Sequence, residues 1–313
     1  MSEATPQIWI DVGGTFTDCI LRRPDGSIRT HKLLSSGVYK GRVGAGSSRA
    51  RIVDHGHCGA PSGFYDGYSI DVGGATRTVA RFDSEEGVFE LAEPLDRDPV
   101  VDTPFELTSG DEAPIIGIRR LLGLRLSDTI GPLDVRLGTT RGTNALLERR
   151  GAATALVTTA GFADVLRIGY QDRPELFKLD IRKPVDLYRT AVELDERVDH
   201  TGRVLTPLDA DQVHARLEPL LASGIHSLAV CLMNSYRNPD HERAVERIAR
   251  ALGFGHVSTS FGVSPLQRIV SRGDTTVVDA YITPIIRDYV DAIRAKIPQA
   301  TIKLMTSAGG LVD

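Results

Sequence analysis

Apolar residues first appear as a short run, Ile8, Trp9 and Ile10, which breaks at Gly13-Gly14 and resumes at Cys19, Ile20 and Leu21. A second break at Pro24-Asp25-Gly26 leads into another alternating stretch over 28–34. Strand, glycine turn, strand, turn, strand is the signature of successive β-hairpins. From about 36 to 112 the texture changes. Gly41, Gly44, Gly46, Gly56, Gly59, Gly63 and Gly67 interrupt the chain, and alternation over 78–82 and 87–91 predicts short antiparallel strands without helical periodicity. This section reads as a β-rich insertion.

Beyond 113, strands and helices alternate. Pro114 suits the first turn of a helix running to about Leu122. A strand at 135–137, a helix over 143–150 ended by Gly151, and a strand at 153–159 follow. Asp209 caps a helix whose apolar positions Val213, Leu217, Leu220 and Leu221 keep the 3.6-residue period. Residues 227–233 read as a buried strand, and Pro239 begins a helix with Val245, Ile248 and Leu252 on one face. A long helix over 274–297 contains Pro284, and a final strand covers 301–306. The alternation predicts an α/β fold with a mostly parallel, helix-covered sheet. Three sections are expected: the hairpin region 1–35, the insertion 36–112 and the α/β region 113–313.

Composition acts mainly by exclusion. With 37 basic and 41 acidic residues in 313, the net charge is −4, and 41% of the residues are hydrophobic. This is a globular balance, neither a disordered polar chain nor a basic arm, so no nucleic-acid partner is expected. Cys19, Cys58 and Cys231 are too few and too scattered for a disulfide framework. Residues 1–7 lack the basic-then-apolar form of a secretion signal, and the longest apolar runs are strand-sized. A cytoplasmic protein without a membrane segment is expected.

Candidate chemistry concentrates at 10–18, Ile-Asp-Val-Gly-Gly-Thr-Phe-Thr-Asp. Two glycines at a hairpin tip let backbone N–H groups approach a ligand and converge on phosphate oxygens. Thr15 and Thr17 add hydroxyls, while Asp11 and Asp18 suit a hydrated Mg²⁺, which takes only one or two carboxylates. The plain alternative is a glycine hairpin that uses Thr and Asp for turn chemistry. A near copy, Asp-Val-Gly-Gly-Ala-Thr at 71–76, follows too closely for a half-domain to intervene and reads as a turn of the insertion. Asp54-His55-Gly56-His57-Cys58 has metal-ligand residue types without a partner cluster and reads as a solvated turn. Arg272 and Asp274 read as the start of the long helix.

The 11–18 stretch resembles the first phosphate loop of the actin-like ATPase superfamily. It most resembles that of the hydantoinase A / 5-oxoprolinase family. Four further stretches are similar to that family: Leu-Gly-Thr-Thr-Arg-Gly-Thr-Asn-Ala-Leu-Leu-Glu-Arg-Arg-Gly at 137–151, Gly-Phe-Ala-Asp at 161–164 with Ile-Gly-Tyr-Gln-Asp-Arg-Pro at 168–174, Arg-Gly-Asp-Thr-Thr-Val-Val-Asp-Ala-Tyr at 272–281, and Ser-Ala-Gly-Gly at 307–310. Together they cover 8–35 and about 135–313. The resemblance implies one half of an actin-like (ribonuclease H-like) ATPase domain. It implies ATP held by Asp11, Gly13, Gly14, Thr15, Phe16 and Thr17, with Thr139, Thr140 and Asn144 contributing from a strand-to-helix turn, and Mg²⁺ held by Asp11 and Asp18. By spacing alone, those last three polar residues serve equally well as helix caps.

Two departures accompany the resemblance. The 36–112 stretch is longer than the family leads one to expect, and nothing is carried over to it. The chain also ends before any second phosphate loop, so a fragment or one domain of a longer polypeptide is expected, inactive when isolated. The implied activity is ATP-dependent hydrolysis of a cyclic amide such as 5-oxoproline or a hydantoin, completed by a B-type subunit or C-terminal domain. No residue that activates water is identified. Alternatives are the ATP-binding subunit of an acetone carboxylase-like ketone carboxylase, a small-metabolite kinase, or a non-enzymatic assembly module.

Overall fold

The computed structural model describes residues 5–171, 177–180, 183–306 and 309–312. In chain order come β1 (Gln7–Val12), β2 (Phe16–Arg22), β3 (Ile28–Leu34), β4 (Tyr39–Arg42), β5 (Arg51–Val53), β6 (Ser69–Val72), β7 (Ala75–Asp83), β8 (Val88–Leu91) and β9 (Pro104–Thr108). Helix α1 (Ala113–Leu122), β10 (Asp134–Thr139), α2 (Arg141–Leu147), β11 (Thr154–Thr159), α3 (Val165–Ile168) and β12 (Thr190–Leu194) follow. Then come β13 (Arg197–Val198), β14 (Val204–Thr206), α4 (Ala210–Ala222), β15 (Ser227–Cys231), α5 (Asp240–Leu252), β16 (His256–Thr259), α6 (Ser260–Val263), α7 (Ile269–Lys296), β17 (Thr301–Met305) and β18 (Leu311–Val312).

Contacts divide the chain into a first unit, Met1–Arg141 with Tyr289–Asp313, and a second, Gly142–Asp288. The division differs from the three expected sections for a physical reason. Strands β10 and β17, at opposite ends of the α/β region, both return to the hairpin sheet, whose order is β18-β17-β10-β1-β2-β3. Strands β1, β10 and β17 run parallel, while β2 and β3 are antiparallel additions. This sheet is therefore mixed.

One face of it is apolar because alternate residues point the same way. Ile8, Ile10 and Val12 of β1 and Cys19 and Leu21 of β2 are buried there, and α1 covers it. A Cβ on Gly117 would sit 2.4 Å from Cys19 Sγ, so glycine in mid-helix is what lets α1 lie this close. Burial pushes the Cys19 thiol up to about 12, with Asp18 adding to the effect, which keeps it neutral.

The insertion is an antiparallel six-stranded sheet, ordered β4-β9-β6-β7-β8-β5. Its core is aromatic, with Phe64, Tyr65, Phe82, Phe89 and Phe105 in edge or tilted contacts. The expected solvated turn at 54–58 is corrected. Asp54 does cap a short turn, accepting from the Gly56 amide at 2.8 Å, but His57 is buried edge-on against Tyr65 and Phe89. Among the described residues no cluster suits a metal ion.

The second unit holds a wholly parallel sheet, ordered β12-β11-β15-β16. Strands β11 and β15 are buried at every position, as expected when helices cover both faces. Val213 and Leu217 of α4 and Val245 of α5 join one core, and Val277 and Ala280 of α7 join the other.

Three sequence-based boundaries move. Helix α2 starts at Arg141 and ends at Leu147, where Arg149 adopts a left-handed φ of 56° ahead of Gly151. Helix α7 begins at Ile269, so Asp274 lies inside it and caps nothing. Arg272 does not start a helix; it is wholly buried and donates to Ser235 Oγ at 2.5 Å and to the Leu232 carbonyl at 2.8 Å. Pro284 removes one N–H from α7, and Ser227 Oγ donates to the Ala280 carbonyl at 2.6 Å in its place.

Candidate functional site

Residues 13–15 form the tip joining β1 to β2. Across that ladder Asp11 faces Asp18 and Val12 faces Thr17. On its other side Asp11 lies beside Gly138 and Val12 beside Thr139 of β10. The tip thus sits at the carboxyl end of a parallel strand pair, where open α/β sheets bind ligands. Gly14, Thr15, Phe16, Asp11 and Asp18 are all exposed.

Hydrogen bonds separate the candidate residues into two groups. The Gly13 amide donates to the Phe16 carbonyl at 3.0 Å and so closes the turn. Thr17 is fully buried on the α1 side, 3.0 Å from Ser35 Oγ. Ser35 fastens the tip further, donating from Oγ to the Gly13 carbonyl at 2.8 Å and from its amide to the Thr15 carbonyl at 2.9 Å. The amides of Gly14 and Thr15, by contrast, have no partner among the described residues. Those two N–H groups and the Thr15 hydroxyl are what the loop offers a ligand.

The carboxylates also differ. Asp18 pairs with Lys32 on β3 at 2.8 Å, and Lys32 lies 5.1 Å from the Phe16 ring centre. Asp11 makes no such pair among the described residues; its Oδ1 would lie 3.4 Å from a Cβ at Gly138, so glycine there leaves the carboxylate uncovered. Like charges directly opposite on a ladder repel, and a cation between them relieves this. Thr140 ties β10 to the tip, with its amide 2.9 Å from the Val12 carbonyl. Thr139 Oγ1 accepts from the Arg141 amide at 3.1 Å, a cap at the start of α2. Asn144 belongs to the second unit and is not free of a partner. Residues 172–174 and 307–308 of the motifs lie outside the described residues.

The near copy at 71–76 shows the contrast. There Asp71 accepts from the Gly74 amide at 2.9 Å and from Thr76 Oγ1 at 3.0 Å, so the turn's own carboxylate saturates it. Ser35 and Lys32 were missed by sequence reasoning. Lys32 was available from hairpin register, which sets it opposite Asp18; nothing local marks Ser35.

Comparison with known proteins bears on the same residues. The family model described as the hydantoinase/oxoprolinase N-terminal region matches residues 7–51 and 69–253, and the hydantoinase/oxoprolinase model matches 272–313. The chain belongs to the hydantoinase/oxoprolinase family. It is 42% identical to a 5-oxoprolinase of Saccharomyces cerevisiae over 256 residues, covering 68% of this chain and 20% of that protein. It is 42% identical to 5-oxoprolinase 1 of Arabidopsis thaliana over 233 residues, covering 64% and 18%. The chain thus spans about a fifth of the length of these relatives. A solved ATP-dependent caprolactamase from Pseudomonas jessenii shares the fold with a TM-score of 0.62 at 23% identity, covering 97% of this chain and 36% of that one. Of the 36–112 stretch, 36–51 and 69–112 lie within the matched segments and 52–68 falls between them. No described helix is long and apolar enough to cross a membrane.

Proposed function

We propose that this chain binds the phosphates of ATP for a cyclic-amide hydrolase of the 5-oxoprolinase/hydantoinase type. The observation that carries the reading is the exposed tip, with the Gly14 and Thr15 amides unpartnered among the described residues, beside Asp11 at the carboxyl end of β1 and β10. Backbone N–H groups fixed in a turn stabilise phosphate charge without reorganising. In this assignment Gly14 and Thr15 donate to phosphate oxygens, Phe16 borders them, and Asp11, with Asp18 beyond it, orients a hydrated Mg²⁺. Gly13, Thr17, Thr139 and Thr140 hold the tip in shape.

The order β3-β2-β1-β10-β17, three antiparallel strands followed by parallel partners, supports reading the first unit as half of an actin-like ATPase. A lactam carbonyl is a poor electrophile. Moving the terminal phosphoryl group of ATP onto its oxygen releases ADP and activates the carbon; one water then adds, the ring C–N bond breaks to leave an acyl phosphate, and a second water releases phosphate. The 42% identity to 5-oxoprolinases favours this over ketone carboxylation, although an acetophenone carboxylase gamma subunit is 29% identical. A cytoplasmic location and a B-type subunit or further domain supplying the rest of the site complete the proposal.

The test is Asp11→Asn in the protein made from its own gene, assayed for Mg²⁺-dependent ATP turnover with 5-oxoproline, hydantoins, or acetone plus bicarbonate. Turnover with a cyclic amide is expected to fall about a hundredfold or more. Relief of the Asp11–Asp18 repulsion should meanwhile raise stability by about 0.2–1 kcal/mol. Unchanged turnover would remove Asp11 from the site, and turnover with acetone alone would reassign the reaction.

A further inference from the structure

Beside the tip, Arg141 carries a partly exposed guanidinium held at one nitrogen by Glu112. Arg141 is the first residue of α2, and its amide is fixed to Thr139 Oγ1. The residue before it, Thr140, is bonded to the Val12 carbonyl at the end of β1. From the other side, Ser35 grips Gly13 and Thr15. Gly37 then packs so closely on the Asp111 carbonyl that a Cβ would lie 2.9 Å from it, and the next residue, Glu112, receives Arg141 Nη1 at 3.0 Å. The chain therefore closes a ring of contacts from the tip, through the start of α1, to the Arg141 head group. Tyr289, buried, lies beneath it with its ring centre 4.2 Å from the guanidinium carbon. The Arg141 side chain is 42% exposed, and a guanidinium carries five N–H donors.

We propose that Arg141 is a phosphate-binding residue of this site, meeting the outer oxygens of a polyphosphate whose inner oxygens lie on the Gly14 and Thr15 amides, with Glu112 and Tyr289 as positioning residues. The inference rests on the phosphate reading above. The charged side chains of β1–β3 described beside the tip are Asp11, Asp18 and Lys32, and Lys32 is paired with Asp18. A polyphosphate therefore needs a further cation. The planar fork stacked on Tyr289 and held by one carboxylate is pre-organised for it.

The experiment is calorimetric titration of the protein made from its own gene with Mg·ATP, tripolyphosphate and AMP, comparing wild type, Arg141→Ala, Arg141→Lys and Gly14→Val. Arg141→Ala should weaken Mg·ATP and tripolyphosphate by roughly ten- to a hundredfold while changing AMP less than about threefold. Arg141→Lys, which keeps the charge and loses the fork, should fall between. An equal loss for all three ligands marks a structural role and overturns the proposal, as does no loss for any. If Gly14→Val abolishes tripolyphosphate binding while both Arg141 variants match wild type, Arg141 fails and the phosphate site stands. If wild type binds neither Mg·ATP nor tripolyphosphate, both readings fall.

Discussion

Ser35→Ala and Thr17→Val separate a hydroxyl that holds the tip from one that holds a ligand. Thr17 is fully buried and its hydroxyl lies 3.0 Å from Ser35 Oγ. Ser35→Ala removes that partner and also the 2.8 Å bond to the Gly13 carbonyl. A buried hydroxyl left unpaired costs about 1–3 kcal/mol. Thr17→Val is nearly isosteric and leaves Ser35 bonded to Gly13, so its loss should be about 1 kcal/mol. In the double variant no orphan hydroxyl remains, and the combined loss should fall short of the sum by about 1 kcal/mol or more. The chain's single tryptophan, Trp9, lies on β1. Its fluorescence in a urea titration therefore reports the first unit's sheet, which matters because two units need not unfold together. Each 1 kcal/mol should shift that unit's midpoint by about 2–4 °C on heating. Thr17→Val should also leave tripolyphosphate affinity within about threefold of wild type. Strictly additive losses, or a tenfold drop in affinity for Thr17→Val, would refute the reasoning.

Two further outcomes follow from buried groups elsewhere. Ser227→Ala should destabilise the second unit by about 1–3 kcal/mol, because the Ala280 carbonyl then loses the donor that replaces the N–H missing at Pro284. In a Pro284→Ala background, where the helix supplies its own N–H, the same change should cost less than about 1 kcal/mol, as chemical denaturation would show. Burial, with the Arg120 guanidinium adding to it, pulls His31 down from the ordinary 6.5 to about 4. Between those values the unfolded chain binds a proton that the folded one refuses, so stability falls as pH drops from about 6.5 towards 4. His31→Gln should flatten that part of the stability–pH curve followed at Trp9.

Legibility varied with how local the determining interaction is. The glycine turn between β1 and β2, the capped helix α4 and the fully apolar strands β11 and β15 could be read directly, since turn chemistry and periodicity act over a few residues. Misreadings clustered where a distant partner decides. Arg272 read as a helix start, yet it lies inside the helix, bonded to Ser235 and Leu232. His57 looked solvated until the aromatic core of the insertion closed over it. Thr17 looked like a phosphate ligand, but the alternation of β2 turns it towards α1, where Ser35 waits.

What the amino-acid sequence determines by itself is the order of elements, the glycine tip with its flanking carboxylates, and membership of the hydantoinase/oxoprolinase family. Tertiary structure decides which groups at that tip remain free. The carbonyls of Gly13 and Thr15 and the hydroxyl of Thr17 are taken by Ser35, an exposed carboxylate at Asp18 pairs with Lys32, and the Gly14 and Thr15 amides have no partner among the described residues. The reason is that a hydrogen bond depends on distances of a few tenths of an ångström between atoms many residues apart, whereas side-chain alternation and turn preference are properties of neighbours in the chain.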